Sequence, residues 1–538
     1  MTISVNNFRT NVLHSQNQKG SFKGVLDGLE PKTVLKTFEE ITQIYKESDH
    51  NEEISKYIAE KLKKANFTVE VKGLEYGKGQ YTIVATRNVD KQKKNAVILQ
   101  SHMDIVGVSV DEKGKSDGNT KKPIILERVS EKINGKTTTL IKSKTGEWLK
   151  AHNRTLGADD GLGVATMLSI AEDPKFKNTP LEMIFTTDEE TGMYGAESIK
   201  LKDFYGRYLI NMDSEKIDEI TVGCAGVASY AEQKAVPMIN IGDSNHKKVT
   251  ISVNGANGGH SGVQIQEDHI NPIKTVLSVL NDLPDIKLAS IEGGTKFNAI
   301  PKDATATIYV PAQDLDKVIK KLNTDLNEAK QAHSVTDSNL TVNIKAEDFT
   351  SSADEKVVDP NFQEKLFRIA GKQIKSELIT TYDKDHIKEE KNNKTSQNLG
   401  ILKLKDGKFE IAVCSRSSDE KEALNLQKEV SSQLSELLDK QEVIVNASPI
   451  WQPKKDTLLE KFAVQAYQEN IGTKPVVQTC HGGLESAIFV QKAPFLEQIS
   501  VGPTVKEPHT ENERLELSTV KPFYDWMTTL IDKLENHL

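Results

Sequence analysis

The chain is poor in cysteine and in long apolar runs. Its three cysteines, Cys224, Cys414 and Cys480, lie far apart among 538 residues. An odd number at this spacing excludes a disulfide framework and a cysteine-type zinc site. We therefore predict a reducing compartment, the cytoplasm. No apolar run approaches the roughly 18 residues that a membrane-spanning helix needs, so a membrane is not an expected partner.

The chain also lacks an excess of positive charge. Its formal net charge is −8 at pH 7, which argues against nucleic acid or an anionic membrane surface as a partner. Nucleotide binding is not predicted either, because no GxxxxGK[ST] segment is present and the glycines around Asp159 carry acids that would repel phosphate. Residues 1–24 are polar, without an apolar signal core, and are predicted to form a flexible extension.

The length of 538 residues allows more than one domain. Apolar runs alternate with helical patterns up to about residue 226, which predicts an α/β sheet, and a hairpin turn is expected at Asn134–Gly135. An α+β pattern follows, and the first pattern returns from about residue 450. We therefore predict one α/β domain, residues 25–226 and 450–538, interrupted by an inserted α+β domain, residues 227–449.

Histidine or acidic residues follow each of four apolar runs. Residues just beyond the carboxyl ends of strands meet at one edge of an α/β sheet, so we expect these side chains to lie together. Two histidines and several carboxylates in one place suit two divalent cations, most simply zinc. The residues concerned are His102 with Asp104, Glu189 with Glu190, Asp213, and His509, together with Asp159 or Asp160 from the segment TLGADDGLG.

The adjacent acids Glu189 and Glu190 organise this prediction. Adjacent carboxylates repel each other unless a cation or a proton lies between them. Such a pair can divide the work, with one acid holding a metal while its neighbour moves protons for a bound water. The alternative is a solvated turn, and each of the other positions has an equally ordinary alternative. It is the coincidence of five such placements that favours a metal centre.

Two further pairs of neighbours refine the prediction. Asp104 lies two residues after His102 in an extended segment, so it can accept the second ring proton and fix the histidine tautomer. Of Asp159 and Asp160, one would bridge two metals while the other caps the following helix or turns outward. The residues alone do not choose between them.

In their order along the chain, the segments NAVILQSHMDIVG, TLGADDGLG, TTDEETGMYG, YLINMDSE and ISVGPTVKEPHT resemble a zinc metallopeptidase family. That family includes glutamate carboxypeptidases, succinyl-diaminopimelate desuccinylases, aminoacylases and carnosinases. The chain is most similar to the aminoacyl-histidine dipeptidase branch, through TLGADDGLG, VGCAG, NGGHSG, IEGGTKFNAIP, CSRSS and HGGLES. The likeness runs from about Leu26 to the C-terminus. It implies a zinc-exopeptidase-like α/β catalytic domain with a mixed sheet flanked by helices, a lid formed by the inserted domain, and homodimerisation through that lid.

The resemblance also implies roles residue by residue. Two zinc ions, with Mn²⁺ or Co²⁺ as alternatives, would be held by His102 and Asp213, by Glu190 and His509, and by Asp159 as the bridge between them. The implied catalytic residues are Glu189 as general base, Asp104 as the acid that orients His102, and His260, which stabilises the tetrahedral intermediate. The implied substrate contacts are Arg416, Asn298 and His481.

The implied reaction is hydrolysis of short peptides, above all Xaa-His dipeptides resembling carnosine. A metal-bound water would attack the peptide carbonyl, with Glu189 as the base. The alternatives are an N-acyl amino acid amidohydrolase of the desuccinylase type, or a metal-binding protein without catalysis. The chain departs from the family pattern at Ser101, which replaces the usual glycine before His102, and in the poorly matched tracts Asp111–Lys122 and Asp383–Lys394.

Overall fold

The computed structural model describes residues 24–74, 77–90, 92–130, 147–242, 245–262, 264–350, 352, 354–381 and 393–538. The predicted extension, the hairpin turn at Asn134–Gly135 and most of the charged tract Asp383–Lys394 lie outside these ranges. The remaining predictions fall on residues that the structure describes.

The first sheet has eight strands and is mixed. Its four central strands run parallel, and the strands on both sides of them run antiparallel to their central neighbours. In spatial order the strands are Thr68–Lys72, Thr82–Arg87, Leu181–Thr186, Ala96–His102, Gly206–Asn211, Glu497–Ser500, Glu219–Cys224 and Val476–Cys480.

Helices cover the first sheet. The strands Ala96–His102 and Leu181–Thr186 are buried at every residue, as expected of parallel strands covered on both faces. The helix Gly161–Glu172 is apolar on all sides and packs against the first helix of the chain and a central strand. The helices associated with this sheet are Lys32–Thr42, Glu52–Lys64, Gly161–Glu172, Glu189–Gly192, Tyr194–Ser198, Leu458–Ile471, Glu485–Lys492 and Leu517–Glu535.

The second sheet has nine strands and its own hydrophobic core. Its residue numbers fall between those of the first sheet's strands. In spatial order its strands are Thr341–Thr350, His246–Asn254, Ala304–Pro311, Lys287–Gly293, Asn393–Lys405, Lys408–Ser417, Gly226–Ala235 and Asn446–Ala447, with Glu377–Thr381 beside Asn393–Lys405. The helices of this part are Pro272–Asn281, Leu315–Ala332, Pro360–Leu366 with a π-helical continuation Phe367–Gln373, and Glu420–Leu438.

The predicted fold class, an α/β sheet flanked by helices and interrupted by an inserted α+β domain, is confirmed. The exact boundaries at residues 24, 226 and 449 stay predictions. Some strands escape the sequence pattern, among them Val476–Cys480, which contains the polar residues Gln478 and Thr479 and is only five residues long. Among the described residues, no helix combines the length and the apolar character that crossing a membrane requires.

Candidate metal centre

The carboxyl ends of the parallel strands place the predicted residues at one edge of the first sheet. His102 ends the strand Ala96–His102. Glu189 and Glu190 open a short helix after Leu181–Thr186. Asp213 follows Gly206–Asn211, and His509 lies in the segment after Glu497–Ser500. The structure therefore brings these side chains together across hundreds of residues of sequence.

Asp159 lies between the two histidines. The His102 Nε2 atom is 3.1 Å from Asp159 Oδ1 and 3.3 Å from Asp213 Oδ1. The His509 Nε2 atom is 3.1 Å from Asp159 Oδ2 and 2.9 Å from Glu190 Oε1. One carboxylate thus faces both histidines, with a different oxygen toward each. This is the arrangement that a carboxylate bridging two cations requires.

Three groups of side chains bring their donor atoms within 4.8 Å of one another. Two of the groups share Asp159 and the third places both adjacent acids beside His102. All donors are imidazole nitrogen or carboxylate oxygen, the ligands that suit zinc, manganese and cobalt. The groups are His102 with Asp159 and Asp213, Glu190 with Asp159 and His509, and His102 with Glu189 and Glu190.

The carboxylates of this cluster need positive charge to compensate their own. Burial raises the pKa of Asp213 to about 6 and also raises the pKa of Glu190 and, strongly, that of Glu189. Burial would lower the pKa of each histidine, but the surrounding carboxylates outweigh it, so that of His102 lies well above its usual value and that of His509 at about 11. Without cations, the raised pKa values of the acids and of the histidines both reduce the negative charge of the cluster. Bound cations would do the same and leave the imidazoles free as ligands.

Asp160 takes a different position from Asp159. It is buried, stands at the N-cap of the helix Gly161–Glu172 without capping it, and its carboxylate accepts a hydrogen bond from the Ser101 hydroxyl. The expectation that the second acid caps the helix or turns outward is therefore wrong. Ser101, where the family usually has glycine, supplies the partner that Asp160 needs in this buried place.

The Asp104 carboxylate makes its hydrogen bonds elsewhere than to the His102 ring. The nearest acceptor of the His102 Nδ1 proton is the Asp104 backbone oxygen, at 3.1 Å, whereas the carboxylate lies 3.6 Å away, beyond hydrogen-bonding distance. The carboxylate instead accepts the backbone N–H groups of Glu189 (3.1 Å) and Glu190 (3.3 Å), and the hydroxyl of Ser48 (2.7 Å). Asp104 therefore links the strand that carries His102 to the turn that carries both acids.

Sequence reasoning missed buried acids around the site, among them Asp188 and Glu513. Asp188, just before the adjacent acids, adopts the left-handed conformation (φ +58°) and accepts the N–H groups of Asp49 (2.6 Å) and Gly79 (2.9 Å). Glu513 accepts backbone N–H groups of the loop that carries Asp159. Asp188 belongs to the TTDEE segment and Glu513 follows His509 by four residues, so closeness to a predicted ligand was the available signal.

A cavity of about 280 Å³ opens over the metal candidates and reaches the inserted domain. This volume lies near the lower end of the range for ligand pockets, which favours a small ligand. Besides the metal candidates, the wall includes His260 and His481 from the predicted set, and Lys216, Glu219 and Gln478, which sequence reasoning did not find.

Arg416 lies directly behind His260. Its Nη2 atom is 3.3 Å from His260 Nε2, and its Nε atom is buried without a hydrogen-bond partner. In the part of the chain that the structure describes, no carboxylate forms an ion pair with this buried guanidinium. The His481 Nε2 atom is 2.8 Å from the Ser396 hydroxyl. The backbone oxygen of Asn298 accepts a hydrogen bond from the Ser261 N–H (3.0 Å). Asn298 is not among the residues that line the cavity.

His260 from the inserted domain and His481 from the C-terminal part of the chain both favour the uncharged form at neutral pH. Burial and the nearby Arg416 charge lower the pKa of His260 and that of His481 to about 3. The positive charge of Arg416 therefore lies behind His260, and Arg416 is not among the residues that line the cavity.

Comparison with known proteins places the chain among peptidases. The family model of the M20 peptidase dimerisation domain matches residues 244–334, and that of peptidase family M28 matches residues 82–281. The cytosol non-specific dipeptidase of Escherichia coli is 26% identical over 517 residues, which cover 95% of this chain and 99% of the relative.

Solved structures agree with this placement. The aminoacylhistidine dipeptidase of Vibrio alginolyticus is 25% identical, with a TM-score of 0.70 over 95% of this chain and 98% of that one. A dipeptidase from Saccharomyces cerevisiae shares the fold, with 13% identity and a TM-score of 0.50 over 94% and 96% of the two chains.

The inserted domain decides between the two peptidase families. The M28 match covers most of the proposed ligands but ends at residue 281, inside the inserted domain. The dimerisation-domain match lies wholly within the inserted domain, and the similarity to the Vibrio structure extends over nearly the whole chain. The resemblance read from the motifs is thereby confirmed: over nearly its whole length the chain is similar to dipeptidases, and its inserted domain matches the M20 peptidase dimerisation domain.

Proposed function

We propose that the chain is a dinuclear zinc dipeptidase that hydrolyses Xaa-His dipeptides and related short peptides. The observation that carries this proposal is the carboxylate of Asp159, which faces His102 through one oxygen and His509 through the other. Asp213 completes the first donor group and Glu190 the second. This arrangement supports two cation positions that share one bridging acid.

The donor set fits two zinc ions. His102 and Asp213 would hold one ion, Glu190 and His509 the other, and Asp159 both. Bound there, the ions would polarise the peptide carbonyl and lower the pKa of the attacking water. The excess of buried carboxylates over histidines supports this assignment, because the cations would compensate charges that burial otherwise disfavours.

Glu189 is the proposed general base. Its backbone is held by Asp104, and its neighbour Glu190 faces His509, so the two acids are directed to different tasks. Burial raises the pKa of Glu189 well above its usual value, and an acid tuned upward in this way can take a proton from water and return it to the leaving amine.

The inserted domain supplies the proposed substrate contacts except His481, which lies in the C-terminal part of the chain. Arg416 would pair with the substrate carboxylate through two hydrogen bonds. A carboxylate that takes the Arg416 N–H groups would also release His260 Nε2, which could then face the reacting carbonyl and stabilise its developing negative charge. A requirement for a free carboxylate so near the metals would limit the substrates to short peptides. His481 and Asn298 are proposed as further contacts.

The relatives support the substrate class. The Escherichia coli relative is a non-specific dipeptidase and the Vibrio relative an aminoacylhistidine dipeptidase, so dipeptides are common to both while histidine selectivity is the finer proposal. We further propose a cytoplasmic location, as the name of the Escherichia coli relative indicates, and a homodimer through the inserted domain, which contains the match to a dimerisation domain.

Metal removal tests the proposal. Treatment with a chelator is expected to abolish dipeptide hydrolysis, and added Zn²⁺ to restore it, because the ions would supply the electrophile. The assay uses β-Ala-His, Ala-His, Gly-Gly and an N-acetyl amino acid with chelated protein, with and without Zn²⁺. We expect the histidine dipeptides to be cleaved fastest. Cleavage of the acetylated compound alone would contradict the dipeptidase assignment, and activity unaffected by chelation would contradict the metal centre.

A further inference from the structure

Glu513 lies in the same loop as His509, four residues further along the chain. Its side chain is 1% exposed. Its two oxygens accept the backbone N–H groups of four consecutive residues, two N–H groups to each oxygen. The bonds come from Leu156 and Gly157 to Oε2 at 2.8 Å each, from Ala158 to Oε1 at 2.8 Å, and from Asp159 to Oε1 at 3.3 Å.

The loop Leu156–Asp159 has the shape that this carboxylate requires. Four consecutive N–H groups converge on one acceptor, so the backbone must curl around it. Gly157 has φ +70°, and a Cβ atom at this position would lie 3.0 Å from the Ile105 side chain. Glycine is the residue that adopts this conformation without strain, and the loop and Glu513 are therefore matched in shape.

Burial of the Glu513 carboxylate by itself destabilises the folded protein. A buried carboxylate is disfavoured, and other carboxylates nearby repel it. The buried ammonium of Lys46, near the same loop, and the four N–H donors offset this cost. The buried position of Glu513 is therefore better explained by the groups that this acid orients than by a gain in folding stability.

The loop that Glu513 holds ends at the proposed bridging ligand. The N–H of Asp159 is the last of the four donors, and the carboxylate of the same residue faces both histidines. Since Glu513 shares a loop with His509, a single side chain connects the backbone of one proposed ligand to the loop of another, more than 300 positions away in sequence.

We propose that Glu513 is a positioning residue that holds the loop Leu156–Asp159 so that Asp159 faces both cation positions, and that it thereby sets the metal affinity of the site. This inference rests on the proposed metal centre. It assigns to Glu513 no contact with the substrate or with the reacting atoms.

Glu513→Gln tests the inference on the full-length chain. The amide nitrogen would face two backbone N–H donors, so half of the hydrogen bonds would be lost and the loop displaced. We expect Zn²⁺ affinity to fall by about 10- to 100-fold, the range typical of residues that orient metal ligands. The measurement is a Zn²⁺ titration of chelated protein against a competing chelator. Excess Zn²⁺ should restore most of the lost kcat.

Glu516→Gln is the matched control. Glu516 lies three residues further on, is also buried (2% exposed), and accepts a hydrogen bond from Ser518 (2.9 Å) rather than from the Asp159 loop. The Zn²⁺ affinity of this variant should stay within about twofold of that of the wild type, because residues that share no contacts with the site couple to it only weakly. Equal weakening in the two variants would overturn the inference, as would unchanged affinity in Glu513→Gln.

Glu513→Asp covers the case in which Glu513→Gln does not fold. It keeps both acceptor oxygens, one methylene further from the loop, so we expect partial rescue, with Zn²⁺ affinity clearly below that of the wild type but lowered by less than about 10-fold. Wild-type affinity in this variant would also overturn the inference. If the wild-type protein itself binds no Zn²⁺, the proposed metal centre is wrong. If the wild type binds Zn²⁺ and the Glu513 variants bind it with the same affinity, only the role of Glu513 is wrong.

Discussion

Glu189→Gln is expected to lower kcat for Ala-His by about 10²- to 10⁴-fold, the contribution typical of a general base. The amide keeps the shape of the side chain but accepts no proton from water. Because Glu189 is not among the proposed ligands, the Zn²⁺ content measured by atomic absorption should stay that of the wild type. KM should change little, since Glu189 is not among the proposed substrate contacts.

The matched control for this prediction is the neighbouring residue. Glu190 Oε1 lies 2.9 Å from His509 Nε2, so Glu190→Gln should lose both activity and Zn²⁺. The distinction matters because Glu189 also lies in a group with His102 and Glu190 that could hold a metal. Loss of Zn²⁺ from Glu189→Gln would show that this acid is a ligand, and retained activity would exclude it as the base.

The placement of the proposed ligands could be predicted from the sequence because it follows from strand order. The strand Ala96–His102 is buried throughout, so it appears as an apolar run, and its last residue must lie at the carboxyl edge of the sheet. The same reasoning brings Glu190 and Asp213 to that edge. It does not choose between Asp159 and Asp160, because both follow the same loop and differ only in the direction of their side chains.

The supporting contacts could not be predicted from the sequence. Asp104 and Asp188 accept backbone N–H groups from segments 85 and 139 positions away, and Glu513 does so over more than 350 positions. Every residue except proline offers a backbone N–H, so the donor segment carries no recognisable residue type. Contacts of this kind leave neither a periodic pattern nor a motif, and only the tertiary structure shows them.

Arg416→Met is expected to lower kcat/KM for Ala-His by about 10²- to 10³-fold, because removing one partner of a buried, hydrogen-bonded charge pair typically costs about 2–5 kcal/mol. Arg416 is 4% exposed and, among the described residues, has no carboxylate partner of its own. A buried guanidinium in this situation is costly unless a ligand supplies the negative charge. The proposed ligand is the C-terminal carboxylate of the dipeptide, and kcat/KM reports its loss.

The amide of Ala-His separates charge recognition from packing. This compound lacks the carboxylate, so the wild type should cleave it slowly. If the amide and the Arg416→Met substitution remove the same interaction, the substitution should change kcat/KM for the amide by less than about threefold. Arg368→Met is the control, since Arg368 lies on the surface of the same domain and pairs with Glu436. An equal loss on both substrates would show that Arg416 only supports the structure around His260, and would contradict its assignment as the carboxylate-binding residue.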